Sequence, residues 1–162
     1  MRRLKYWLPV VIWMIVIFTG STSVGSTQHS SRIVRPFIYW LFPHISDSAF
    51  ETIHHYTRKA GHLTEYAILG ILLWCAIHKE TKIVVKYGVK GRVALVLLIA
   101  ALYASGDEFH QSFIPSREPR VMDVVIDTCG AAIGVAVCLA ARRIFARRQE
   151  INGCQIGCGG RI

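Results

Sequence analysis

Four apolar runs, separated by polar or basic segments, constrain the fold of this chain more than any other feature. They lie at residues 6–20, 60–77, 93–105 and 121–141. A helix that crosses a bilayer core of about 30 Å needs about 20 mostly apolar residues. The fourth run has this length, and flanking residues with long side chains can extend the third. The sequence therefore predicts an all-α integral membrane bundle of four transmembrane helices.

The composition favours a membrane protein over a soluble helical bundle, which is the alternative that the shorter runs leave open. The 162 residues are 52% hydrophobic and only 18% charged, whereas soluble domains carry about 25% charged residues. The net charge of +9 would suit a nucleic-acid-binding protein. The basic residues, however, flank the apolar runs, and no RNA-binding aromatic motif or zinc-finger spacing occurs. The predicted partner is therefore the lipid bilayer and not a nucleic acid.

The distribution of basic residues predicts the topology. The N-terminus, the 78–92 segment and the C-terminus are rich in Lys and Arg, and the other two connections are mixed in charge. Cytoplasmic flanks collect Lys and Arg. We therefore expect a multi-pass protein of the cell membrane with both termini in the cytoplasm and residues 106–120 outside.

Three segments need separate interpretation. Residues 6–20 resemble a secretory signal, but no Ala-x-Ala cleavage site follows, so an uncleaved helix is favoured. Residues 33–42 are aromatic and too short to span, which predicts an interfacial helix between spans one and two. Residues 142–162 are predicted to be a disordered, basic and Gly-rich cytoplasmic tail. The predicted membrane domain thus covers residues 1–141.

Polar residues concentrate at the ends of spans two, three and four that this topology places outside. Ionisable groups at such a depth are costly and normally face protein or a water-filled cavity. We therefore predict a ligand-binding site formed by Lys59, His62, Glu65, Tyr66, Tyr103, Asp107, Glu108, His110, Gln111, Arg117, Arg120, Asp123 and Asp127. His54 and His55 are interpreted as loop residues before the second span, and Arg58 as an interface anchor.

Helical periodicity supports this grouping. The candidates of the second span fall on one face about 120° wide, at about 100° per residue. Asp123 and Asp127 share a face that continues into Gly130-x-x-x-Gly134, a small-residue pattern that lets another helix approach closely. The face with the aspartates is therefore predicted to pack inward. The alternative is that these polar residues form interhelical hydrogen bonds that only fix packing.

The residue types leave the chemistry open. His62/Glu65 and Asp107/His110 are i,i+3 pairs of the kind that bind metals in helix bundles. An anion site that uses Arg117 and Arg120 explains the same residues and ranks first, so no metal or other cofactor is required. No Gly-x-Ser-x-Gly nucleophile motif is present. If the site is catalytic, His62 or Asp107 is the candidate general base.

Three segments also carry a family resemblance. They are KAGHLTEYA at residues 59–67, YASGDEFHQ at 103–111 and DVVIDTCGA at 123–131. Together they resemble the signatures of the VanZ-like membrane proteins. The resemblance implies a bacterial membrane protein of four helices. It also implies a link to the cell envelope and to antibiotic resistance, since the family takes its name from a glycopeptide-resistance component associated with teicoplanin tolerance.

The leading functional prediction is an extracytoplasmic site that binds a cell-envelope lipid or glycolipid. In it, Arg117 and Arg120 would meet phosphate or carboxylate groups. One alternative is a membrane enzyme, a hydrolase or transferase, acting on a lipid-linked envelope precursor, with or without a metal. Another is a structural or proton-linked membrane element. The sequence leaves the oligomeric state open.

Overall fold

The structure is a computed structural model, and it describes residues 4–21, 35–36, 38–43, 45–113 and 120–158. The regular structure in these ranges is helical and consists mainly of four long helices. They are α1 (Leu4–Ser21), α2 (Asp47–Lys79), α3 (Thr81–Gln111) and α4 (Val121–Cys158). The all-α prediction is therefore confirmed for the described part of the chain.

Three of the helices are long and apolar enough to cross a bilayer. These are α2, the part of α3 from Lys86 onwards, and α4 as far as Gln149. The apolar part of α1, Lys5–Ser21, is shorter. Large apolar side chains point outward from the bundle, among them Leu102, which is 65% exposed. Such an outer surface suits lipid and not water, and the chain is a multi-pass membrane protein.

Helix α2 begins well before the predicted span. Ser46 caps its N-terminus by accepting a hydrogen bond from the Ala49 backbone N–H at 3.3 Å. With 33 residues, α2 is about 50 Å long, which exceeds the bilayer core. The interpretation of His54 and His55 as loop residues was therefore wrong: both lie in α2, and His54 is buried against Phe50.

Helix α4 also differs from the prediction. The sequence predicted disorder from residue 142, whereas the helix continues to Cys158. Residues 140–150 consist largely of Ala, Arg, Gln and Glu, which are strong helix formers. The basic segment therefore extends the helix instead of ending it.

The predicted interfacial helix is described only in part. Residues 35–36 and 38–41 are helical, and Ile33, Val34 and Phe37 lie outside the described residues. Asp47 of α2 accepts hydrogen bonds from Arg35 at 2.9 Å and from Tyr39 at 2.8 Å. These bonds tie the segment to the start of α2.

Helices α2 and α4 form the central contact of the bundle. A Cβ at Gly130 would collide with the Leu63 carbonyl oxygen, and one at Gly134 would collide with that of Ala67. On α2, Gly70 meets the backbone of Ala131 in the same way. The predicted small-residue face of α4 therefore does pack inward. Helix α1 packs more loosely on α2 and α3.

Candidate functional site

A polar cavity of about 210 Å³ lies at one end of the bundle, where the C-terminal end of α3 meets the N-terminal halves of α2 and α4. Nine of its ten lining residues carry a polar or charged side chain. The lining residues are His55, Arg58, Lys59, His62, Glu108, Gln111, Arg120, Asp123, Ile126 and Asp127. The cavity brings together seven of the thirteen predicted site residues. These seven are spread along the sequence from Lys59 to Asp127.

Two long pairs cross the cavity between α2 and α4. The His62 Nδ1 atom lies 4.0 Å from Asp127 Oδ1, and the Lys59 Nζ atom lies 3.9 Å from Asp123 Oδ1. Both distances exceed those of a hydrogen bond, which are about 2.7–3.2 Å for nitrogen donors. The pairing follows from spacing: residues 59 and 62 share one face of α2, and residues 123 and 127 share one face of α4.

Glu108 joins α3 to the start of α4. It is 8% exposed, and its Oε2 atom accepts a hydrogen bond from the Arg120 backbone N–H at 3.0 Å. Glu108 follows Asp107 directly in α3, so its side chain leaves the helix in a different direction from that of Asp107. Because the cavity lies at the end of α3, this neighbouring position still reaches it.

Asp107 lies behind the cavity and connects α3 to α1. Its Oδ2 atom accepts hydrogen bonds from the Ser21 hydroxyl at 2.6 Å and from the Gln111 amide at 2.9 Å. Asp107 is 3% exposed and Ser21 is 2% exposed. Since Ser21 ends α1, this bond fixes the end of α1 beside the site.

Several buried polar atoms in this region have no hydrogen-bond partner among the described residues. They include the Tyr66 hydroxyl and one carboxylate oxygen each of Asp107, Asp123 and Asp127. Leaving such an atom unsatisfied costs about 1–3 kcal/mol. The region is therefore built to receive hydrogen bonds from a ligand or from ordered water.

The remaining predicted residues do not line the cavity. The Tyr103 hydroxyl donates to the Met14 backbone carbonyl at 2.5 Å, and the His110 ring lies 4.6 Å from that of Phe18. Glu65 is half-buried, and its backbone carbonyl accepts a hydrogen bond from Trp13 at 2.9 Å. These contacts attach α1 to α2 and α3. Arg117 lies outside the described residues.

The sequence missed three participants. His55 and Arg58 line the cavity, and Ser21 binds Asp107. The helical spacing of residues 55, 58, 59 and 62 could have identified the first two, had α2 been extended towards its true start. No local pattern singles out Ser21, because its partner lies 86 residues away.

The two predicted metal pairs, His62/Glu65 and Asp107/His110, do not form part of a larger group of metal ligands in the described part of the chain. Within the described ranges, no three His, Cys, Asp or Glu side chains converge as metal ligands would. Asp107 is engaged by Ser21 and Gln111, and His110 lies against Phe18. Neither pair therefore has a third side chain of metal-ligand type beside it within the described residues.

The lining combines both signs of charge at one place. Arg58, Lys59 and Arg120 supply positive charge, and Glu108, Asp123 and Asp127 supply three carboxylates. His55 and His62 add two imidazoles. Such a site can bind charged and hydrogen-bonding groups of both kinds, and His62 beside Asp127 can also accept or donate a proton.

Comparison with known proteins agrees with the sequence motifs. The comparisons with curated proteins and with solved structures found no match. A family model described as VanZ/LLP1 matches residues 6–144, which include most of α1, all of α2 and α3, and most of the membrane part of α4. The chain therefore belongs to the VanZ/LLP1 family.

Proposed function

We propose that the cavity binds the headgroup of a cell-envelope lipid or glycolipid at the outer face of the membrane. The observation that carries this proposal is a polar, charged cavity of about 210 Å³ at the end of an otherwise apolar bundle. In the proposed orientation, a cavity at this end of the spans would lie where lipid headgroups meet a membrane protein. The apolar outer faces of α3 and α4 would contact the acyl chains.

The proposal includes an orientation with four spans and both termini in the cytoplasm. The basic segments at residues 78–92 and after residue 141 support it. In a variant without the five native cysteines, Ser112→Cys should react with an impermeant thiol reagent on intact cells, and Gln155→Cys should not. The reverse labelling would place the cavity on the cytoplasmic side.

Lipid retention tests the proposed function. The intact protein, purified in mild detergent, should carry envelope lipid detectable by mass spectrometry. Arg58→Gln should lower the amount retained by about tenfold, because an Arg–phosphate contact contributes about 1.5–3 kcal/mol. Arg143→Gln is the control, since Arg143 is exposed on α4 far from the cavity. Equal retention by all three proteins would refute the proposal.

A membrane enzyme is the second candidate, and the His62–Asp127 pair favours it. A histidine beside a buried carboxyl group is a common general base; Asp127 is 2% exposed and lies 4.0 Å from His62 Nδ1. The intact protein would then convert a lipid-linked envelope precursor over time, and His62→Gln would bind the precursor without converting it. Unchanged lipid masses after long incubation with envelope extracts would exclude this activity.

A role in teicoplanin tolerance is proposed from the family resemblance alone. If it applies to this chain, Arg58→Gln and Asp123→Asn, which change side chains that line the cavity, should remove the tolerance while the protein stays in the membrane at normal amounts. A purely structural or proton-linked role predicts a different result, in which tolerance and protein level fall together. Immunoblots of membrane fractions beside susceptibility tests separate the two.

A further inference from the structure

The charges that line the cavity are balanced in number, and basic residues of α2 face acidic residues of α4 across it. Arg58 and Lys59 come from α2, whereas Asp123 and Asp127 come from α4. With Arg120 and Glu108, the lining holds three basic residues and three acidic ones. A cavity for a purely anionic headgroup would carry an excess of Lys and Arg. A balanced lining favours a ligand that itself carries both signs.

The two aspartates of α4 that line the cavity, Asp123 and Asp127, need hydrogen-bond donors. The Oδ1 atoms of Asp123 and Asp127 are buried and have no hydrogen-bond partner among the described residues. Lys59 and His62 approach them only to 3.9 and 4.0 Å. Asp127 is 2% exposed, so bulk water gives it little compensation. A donor group bound between α2 and α4 would lie beside both carboxyl groups, since both residues line the same cavity.

A primary ammonium group has the required chemistry. It carries a positive charge and three N–H donors, enough for two carboxylate oxygens at once. A quaternary ammonium group has the charge and no N–H donor. A glycerol headgroup has hydroxyl donors and no positive charge. The two unsatisfied carboxylate oxygens therefore distinguish these three headgroups.

We propose that the ligand of this cavity is a phosphate ester that carries a primary ammonium group, as in an ethanolamine phospholipid. This inference rests on the proposed function and narrows it. The phosphate contacts Arg58 and Arg120, because guanidinium groups bind phosphate with paired hydrogen bonds. The ammonium group donates to Asp123 and Asp127.

Competition between lipids with identical acyl chains provides the test. The full-length protein is loaded with equal amounts of phosphatidylethanolamine, phosphatidylcholine and phosphatidylglycerol, and the retained lipid is measured by native mass spectrometry. We expect phosphatidylethanolamine to be retained about tenfold better than the other two, because it alone combines a positive charge with N–H donors. Soluble phosphoethanolamine, added as a competitor, shows whether the headgroup alone suffices or the acyl chains are needed.

Two acidic variants assign the preference to the cavity. Asp127→Asn and Asp123→Asn should both reduce the preference for phosphatidylethanolamine over phosphatidylglycerol. Asp123 is only partly buried, so its variant serves if Asp127→Asn fails to fold. Asp47→Asn is the matched control, because Asp47 is exposed and pairs with Arg35 outside the cavity.

The outcomes separate this inference from the proposed function. If lipid is retained through Arg58 but phosphatidylglycerol or phosphatidylcholine binds as well as phosphatidylethanolamine, the cavity is a lipid site and the ammonium assignment is wrong. An unchanged preference in Asp123→Asn overturns the assignment as well. If no lipid is retained through Arg58, the proposed function fails, and this inference fails with it.

Discussion

Both ends of the bundle bury polar side chains, but they differ in how far the hydrogen-bonding atoms of these side chains are satisfied. At the end opposite the cavity, Arg92 is only 5% exposed. Its Nε atom donates to the Gly88 carbonyl at 2.7 Å, its Nη1 atom lies 2.5 Å from His78 Nδ1, and its guanidinium stacks over Trp74 at 5.3 Å. At the cavity end, Asp127 is equally buried and has an oxygen without a described hydrogen-bond partner.

This difference shows that burial of a charged residue does not by itself indicate a binding site. Arg92 is held by three neighbours, and its contact with Gly88 lies at a kink where Gly88 adopts φ 58°, a conformation that favours glycine. The arrangement fits a structural role. Unsatisfied polar atoms beside a cavity, as at Asp123 and Asp127, are the feature that indicates a ligand.

The largest expected effect comes from the close contact between α2 and α4 at Gly134. Gly134→Leu should reduce folding severely, by about 3 kcal/mol or more, because its side chain would collide with the backbone of α2 at Ala67. Ile133→Leu should have little effect, since Ile133 is 49% exposed. Expression level and thermal unfolding in detergent measure both. Similar stability of the two variants would contradict the close α2–α4 contact.

The structural end should respond next most strongly. Arg92→Met should cost about 2 kcal/mol, because it removes hydrogen bonds from a charged group and leaves His78 and the Gly88 carbonyl with one partner fewer. Lys90→Met is the control, since Lys90 is exposed on the same helix. Once folded, the Arg92→Met protein should bind phospholipid like the wild-type protein. A selective loss of lipid binding would contradict its assignment as structural.

A smaller effect is expected beside the cavity at Ser21. Ser21→Ala removes the 2.6 Å hydrogen bond to the buried Asp107 and should cost about 1–2 kcal/mol. Ser105→Ala provides the comparison, because that serine is exposed and bonds only within its own helix. Thermal unfolding should show a lower midpoint for the first variant only. Equal midpoints would mean that α1 is not held by this bond.

The smallest effect on stability should come from Asp127→Asn. The carboxylate is buried with an unsatisfied oxygen, so removing its charge relieves a desolvation cost. We expect a change within about 1 kcal/mol, of either sign. A destabilisation as large as that of Arg92→Met would show that Asp127 is a structural residue and would remove the contrast between the two ends.

The sequence alone determined the class of the protein and the rough position of the polar cavity. Apolar runs, basic flanks and helical periodicity are local features, and each reports on one helix by itself. They correctly predicted a helical membrane protein, the inward face of Gly130 and Gly134, and the sharing of one bundle end by His62, Glu108 and Asp127. The three motifs also predicted the family.

The tertiary structure decided which of the polar residues share the cavity. Membership depends on the height and rotation of α2, α3 and α4 relative to one another, which are set by backbone contacts such as Gly130 with Leu63. A stripe of residues at helical spacing identifies the side chains that face the bundle interior. It does not identify the residues of other helices that they contact. Thus Arg58 lines the cavity, whereas Tyr103 and His110 contact α1. Ser21 and Asp107, 86 residues apart, meet only because α1 packs against α3.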